Sequence, residues 1–162
     1  RGIERAGLRG VTARLFTVYG PGEHPDRLLP SLLRVARTRE SLPMTAGEQE
    51  RDFTFVGDVA EGLLRLGLAP QAPPVVNLAT GVLTPVRRFA ECAAELLALE
   101  PGLLQFGALP SRPDEQKQGR ADVTRLEQLL GWRPTCSIEE GIRRTSGFES
   151  ALAARRGERV SA

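Results

Sequence analysis

The stretch Arg51-Asp52-Phe53-Thr54-Phe55-Val56-Gly57-Asp58-Val59-Ala60 stands behind Ala13-Arg14-Leu15-Phe16-Thr17-Val18-Tyr19-Gly20-Pro21-Gly22, and the two together decide the fold. Val11, Ala13 and Leu15 alternate with Thr12, Arg14 and Phe16, so Val11 to Tyr19 reads as a strand, closed by glycine and proline. Arg51 to Val56 reads as a second strand. Asp58 stands where it can cap a helix over Val59 to Leu68, with Val59, Leu63 and Leu66 toward a core. A permanently charged guanidinium at one strand start thus sits beside a Tyr-Gly-Pro-Gly exit from the other, and ligands of open α/β folds lie at such carboxyl edges. An arginine bonded to a phosphate through two N–H groups supplies charge and orientation together.

Working outward, Ile3 to Leu8 reads as the end of a helix, and Pro21 to Asp26 as a loop. Arg27 to Arg39 carries Leu28, Leu29, Leu32 and Leu33 at helical spacing, with Pro30 tolerated in the first turn. Leu42 to Thr45 is a short extended piece. Beyond the proline-rich break at Pro70 to Pro74, Val75 to Gly81 reads as a buried parallel strand ending in a turn, and Thr84 as the cap of a helix over Pro85 to Leu99. Leu103 to Leu109 reads as a strand, Ser111 to Gly119 as a polar loop, and Asp122 to Leu130 as a helix stopped by Gly131. Ser137-Ile138-Glu139-Glu140 is a capping box that opens a helix to Ala154. Helices alternating with single strands predict parallel α/β pairing, residues 1–155 forming one unit and 156–162 a disordered tail.

Arg-x-Phe-Thr-x-Tyr-Gly-Pro, Arg-Asp-Phe-x-Phe-Val-x-Asp-Val-Ala, Val-Asn-Leu-Ala-Thr-Gly, Ser-Arg-Pro-Asp-Glu and Leu-Gly-Trp-Arg-Pro follow one another in this order. From about Gly7 to Gly147 they resemble the C-terminal half of the extended short-chain dehydrogenase/reductase family, the NAD-dependent nucleotide-sugar epimerases and dehydratases. The resemblance implies the C-terminal part of a Rossmann-type parallel sheet plus a small mixed α/β substrate-binding domain. It also implies hydride transfer at the sugar C4 through a 4-keto sugar, a nucleotide-diphosphate sugar as partner, and a homodimer when full length.

The family's catalytic Tyr-x-x-x-Lys is absent. The only tyrosine, Tyr19, has Glu23 four residues on, and the only lysine, Lys117, lies far off in sequence. No G-x-G-x-x-G follows a strand, so no dinucleotide cradle can be placed. The chain is therefore expected to be the half of such an enzyme that follows the Tyr-x-x-x-Lys helix. On that expectation NAD or NADP belongs to the full-length enzyme, none binds this chain tightly, and the chain alone is inactive.

Residue by residue, the resemblance implies substrate contacts from Thr17, where relatives usually carry Asn, and from Arg27 and Leu28 toward the diphosphate and base. It implies further contacts from Thr45 beside the base, from Arg51 and Arg112 on phosphate, from Asp114 on ribose hydroxyls and from Asn77 at its strand end. Phe16 takes the position near the nicotinamide. Each has a plainer alternative in strand packing for Thr17 and Phe16, helix packing for Leu28, a surface ion pair for Arg51 and a turn bond for Asn77. His24, beside Glu23 and Asp26, lacks a nucleophile or metal partner and reads as an exposed loop histidine, and Trp132 as a packed anchor beneath the last helix.

Composition narrows the classes. The 162 residues are 41% apolar and 26% charged, as in an ordinary globular domain. The 22 basic residues, all arginine except Lys117, are interspersed with 20 acidic ones for a net charge of +2, and aromatics make up 5%, which argues against a nucleic-acid surface. No apolar run approaches the ~18 residues of a membrane span, and no hydrophobic leader core follows Arg1, so a cytoplasmic setting is expected. Cys92 and Cys136 form no metal-ligand spacing. The rival readings are a non-catalytic α/β module that binds nucleotide sugars or a protein, and a 4-keto-deoxysugar reductase.

Overall fold

The computed structural model describes residues 10–71, 73–111 and 117–160, and the expected helix at Ile3 to Leu8 lies outside them. The strand expected over Val11 to Tyr19 is two strands, β1 (Thr12–Leu15) and β2 (Thr17–Tyr19), broken at Phe16. The break marks a change of partner. β1 runs parallel to β6 (Val75–Leu78), with Leu15 opposite Leu78, while β2 runs parallel to β5 (Phe53–Phe55), with Thr17 opposite Phe53. β3 (Leu42–Met44) pairs in parallel with β8 (Leu104–Phe106), and β4 (Glu50–Arg51) pairs antiparallel with β7 (Thr84–Pro85). The expected parallel pairing holds for three of these pairs, and β4–β7 adds the antiparallel one that makes the fold mixed.

Helix α1 (Leu28–Thr38) buries Leu29, Leu32 and Val35 and stops where Arg39 turns left-handed at φ 60°, its N–H bonded to the Val35 carbonyl. Helix α2 (Val56–Leu68) starts immediately after β5, three residues earlier than expected, and Asp58 does not cap it. Asp58 Oδ2 accepts instead from the N–H groups of Thr135 (2.9 Å) and Cys136 (2.8 Å), tying α2 to the segment ahead of the last helix. Helix α3 (Val86–Leu96) is likewise not capped by Thr84, which pairs with Arg51 in β7. The N–H groups of Val86 and Arg87 find the carbonyls of Gln49 and Gly47, each at 2.9 Å. A folded-back loop thus satisfies the orphan donors that a side chain would otherwise satisfy. Helix α4 (Thr124–Leu130) ends at Gly131 as predicted. Ser137 Oγ accepts the Glu140 N–H at 3.2 Å and opens α5 (Ile138–Val160). That helix includes residues 156–160 of the expected tail.

Two apolar clusters result. The larger gathers Tyr19, Leu29, Leu32, Met44, Phe53, Phe55, Phe89 and Ile142, and the smaller gathers Val59, Leu66, Val76, Leu78 and Leu126. Trp132 packs on the smaller one, with the Arg65 guanidinium 5.4 Å from its ring centroid. Tyr19 stands in the larger, edge-on to Phe89 (centroids 5.1 Å apart) and Phe55 (5.8 Å). Its hydroxyl donates to the Ser137 carbonyl at 3.3 Å, and burial pushes its pKa well above the ordinary tyrosine value.

Gly141, in the first turn of α5, lets that helix rest on Tyr19, because a methyl there would overlap the tyrosine hydroxyl. Gly141→Ala is therefore expected to cost about 1–3 kcal/mol of stability by overpacking. In a Tyr19→Phe background, which removes the obstructing oxygen, the cost shrinks. Urea denaturation of the two singles and the double checks this, and a cost that is the same in both backgrounds would contradict it.

Candidate functional site

The exit of β2, the loop at residues 20–27, the start of α1, and β3 with β4 surround a cleft of about 470 Å³. Thr17, Arg27, Leu28, Thr45 and Arg51 all line it, so the fold brings together five residues named from sequence. Leu28, Leu42, Met44 and Val86 make an apolar lining, and Phe53 and Phe89, stacked at 4.3 Å between centroids, carry the aromatic core to its floor. Polar and charged side chains share the lining with them. Thr45 Oγ1 accepts from the Gly47 N–H (3.3 Å) and from Gln49 Nε2 (3.4 Å). Arg51 is half-buried and donates through Nη1 to the Glu50 carbonyl at 2.8 Å.

Other predicted residues fall elsewhere. Asn77 Nδ2 donates to the Asp122 carbonyl at 2.9 Å, and neither Asn77 nor Phe16 is among the cleft-lining residues. Arg112 and Asp114 lie outside the described residues. His24 is exposed, its Nδ1 3.6 Å from the equally exposed Asp26. Among the described residues no group of three or more His, Cys, Asp or Glu is placed to hold a metal, and no helix is long and apolar enough to cross a membrane.

Glu23 and the exposed Asp26, which sequence reasoning left without a site role, line this cleft, and the buried carboxylate of Asp52 lies outside its lining. The Glu23 side chain is 12% exposed, its Oε1 3.5 Å from Arg27 Nε and its enclosed Oε2 without a hydrogen-bond partner among the described residues. Burial is the main cause that raises the Glu23 pKa, with the Gly20 amide and Arg27 pulling it back.

Asp52, outside the lining, has no exposed surface. Its Oδ1 accepts from the Thr80 hydroxyl (2.7 Å), the Thr80 N–H (3.0 Å) and the Thr54 hydroxyl (3.3 Å), and its Oδ2 accepts from the Gly81 N–H (2.8 Å). The successive N–H groups of Thr80 and Gly81 thus converge on one carboxylate, and the chain then turns away at Gly81 with a φ of 75°, a conformation that side chains disfavour. The one available signal was an aspartate inside an aromatic strand, followed by Thr54 and by a Thr-Gly turn after β6.

Residues 3–79 match the model of the NAD dependent epimerase/dehydratase family. The chain is 31% identical over 139 residues to UDP-glucuronic acid decarboxylase 6 of Arabidopsis thaliana, an alignment covering 84% of this chain and 39% of that protein. Epimerase Mth375 of Methanothermobacter thermautotrophicus superposes with a TM-score of 0.81 at 28% identity, covering 95% of this chain and 47% of that one. MoeE5, solved in complex with UDP-glucuronic acid and NAD, superposes with a TM-score of 0.75 at 30% identity, covering 86% and 46% respectively. This chain belongs to the NAD dependent epimerase/dehydratase family. It spans less than half the length of each of these relatives, and its strands and helices are those of their Rossmann-type fold.

As a family member it offers little to a dinucleotide among the described residues. The successive N–H groups at the end of β6, the nearest thing to a phosphate cradle, are filled by the Asp52 carboxylate, and α2 follows β5 with no glycine turn between them. The described residues do not fit a pyrophosphate-binding turn.

The Glu23 shift has a definite consequence for stability. A carboxyl whose folded pKa lies above its ordinary 4.5 binds more protons folded than unfolded in the window just above that value, so stability falls as pH rises through it. Relative to the parent, Glu23→Gln, which does not titrate, gains unfolding free energy on going from about pH 4 to about pH 7. Urea melts at both values measure the difference, and a parent–variant gap independent of pH would refute the assignment.

Proposed function

We propose that this chain is the nucleotide-sugar-binding portion of an NAD(P)-dependent sugar-nucleotide epimerase, dehydratase or decarboxylase. The observation that carries the reading is the joint presence, in one cleft, of two arginines from separate elements and a group of apolar side chains. A diphosphate needs the first and a nucleobase the second. In this reading the Arg51 guanidinium grips a phosphate through two N–H groups, and Arg27, at the N-terminus of α1, adds its charge to the positive end of the helix. Leu28, Leu42 and Met44 exclude water from the base, and the hydroxyls of Thr17 and Thr45 meet sugar or ribose oxygens. The share of these residues in the reaction is orientation, which holds one sugar carbon where reaction can occur.

The sequence holds no Tyr-x-x-x-Lys, and Tyr19 is sealed in the aromatic core with its hydroxyl bonded to Ser137, so it is no proton acceptor for a sugar hydroxyl. That observation favours a second reading, in which the chain by itself is a non-catalytic nucleotide-sugar-binding module. Hydride transfer at the sugar C4 through a 4-keto sugar belongs to the first reading alone, and requires a tyrosine and lysine that this chain does not supply. Incubation of the chain with UDP-glucuronic acid and NAD is accordingly expected to leave the nucleotide sugar unconverted when the mixture is resolved by chromatography, and the appearance of a new nucleotide sugar would overturn both accounts of the division of labour.

Calorimetric titration of the 162-residue chain with UDP and UDP-glucuronic acid tests the binding. Arg51→Ala is expected to weaken it by about 1.5–3 kcal/mol, the scale of a hydrogen bond to a charged group, and Arg51→Lys to recover part of the loss because an ammonium cannot form the planar double bond. Unchanged affinity in Arg51→Ala, or no UDP binding by the parent, would defeat the proposal.

A further inference from the structure

We propose that Asp52 is a positioning residue for the cleft: its buried carboxylate sets which way Arg51 points, and its main chain sets where Thr17 lies. The inference rests on the nucleotide-diphosphate reading above. It starts from strand geometry. Successive side chains of an extended chain point to opposite faces. Asp52 and Thr54 share one face, shown by the Thr54 hydroxyl donating to Asp52 Oδ1, while Arg51 and Phe53 on the other face both line the cleft. Rotating this segment about its axis would turn Arg51 out of the cleft. That rotation would also strip the carboxylate of donors from the Thr80–Gly81 turn, leaving a charge and two backbone N–H groups buried without partners.

The same residue reaches the other wall through its backbone. The Asp52 carbonyl accepts the Thr17 N–H at 3.0 Å, and the Asp52 N–H donates to Gln118 Oε1 at 3.3 Å. The turn that holds Asp52 is itself held, since Arg120 Nε donates to the Gly81 carbonyl at 2.6 Å. One residue without exposed surface therefore joins the strand that bears Arg51, the strand that bears Thr17, and the turn after β6. Asp52 touches none of the cleft itself, so its effect on a ligand passes through Arg51 and Thr17.

The test separates positioning from mere support. Thr80→Val removes the shortest bond to the carboxylate while leaving the backbone donors in place. Thr80→Ser keeps that bond, and Asp52→Asn removes the charge. NMR titrations of the 162-residue chain with UDP and with uridine, alongside thermal melts, read the outcome. A positioning role raises the UDP dissociation constant in Thr80→Val by roughly tenfold or more while uridine changes less than about twofold, and Thr80→Ser restores the UDP value. Asp52→Asn, where it folds, shows the same selective loss. Parallel weakening of UDP and uridine, or a lowered melting temperature with UDP affinity intact, would overturn the inference and assign Asp52 to the scaffold alone. Loss of UDP binding in Arg51→Ala combined with an intact Thr80→Val defeats this inference and leaves the nucleotide reading standing. A parent that binds neither UDP nor uridine defeats both.

Discussion

A single buried carboxylate accepting four hydrogen bonds organises this structure. A carboxylate without exposed surface needs donors in place of water, and the chain supplies Asp52 with two hydroxyls and two backbone N–H groups. Meeting that requirement fixes where the turn after β6 sits relative to β5, and hence how the β1–β6 pair meets the β2–β5 pair. Asp58 does the same work at a second junction, where its carboxylate gathers two backbone donors ahead of α5. Polar ties of this kind discriminate between packings that apolar contact alone would leave close in energy.

Much of the fold was legible because its signals are local. The leucine spacing of α1, the Thr-Gly turn after β6, Gly131 behind α4 and the capping serine of α5 each act within a few residues, and each lies where the pattern predicts. The capping roles given to Asp58 and Thr84 were wrong for a shared reason. Both are good cap residues beside helix starts, but long-range partners took them. Asp58 found backbone donors 77 and 78 residues away, and Thr84 found a strand. Local propensity is a weak prior wherever a buried donor elsewhere has no other acceptor.

The cleft was legible in part, for the same reason. Thr17, Arg27, Leu28, Thr45 and Arg51 were named through their motifs and do converge. Asn77 was named the same way, and its amide serves the Asp122 carbonyl. Glu23 and Asp52 escaped notice because burial confers their importance, and burial is a property of the assembled chain. An aspartate beside an arginine reads as its ion-pair partner until the strand alternation is seen to turn the two apart.

The partner change at Phe16 bears on motion as well as on architecture. Residues 12–19 run without slack from the sheet of the smaller cluster to that of the larger, and β5 passes directly into α2 from the larger cluster to the smaller. The chain thus crosses between the clusters twice, in opposite senses, and any displacement of one cluster against the other must be absorbed in the backbone of both crossings, at Phe16 and where Phe55 meets Val56.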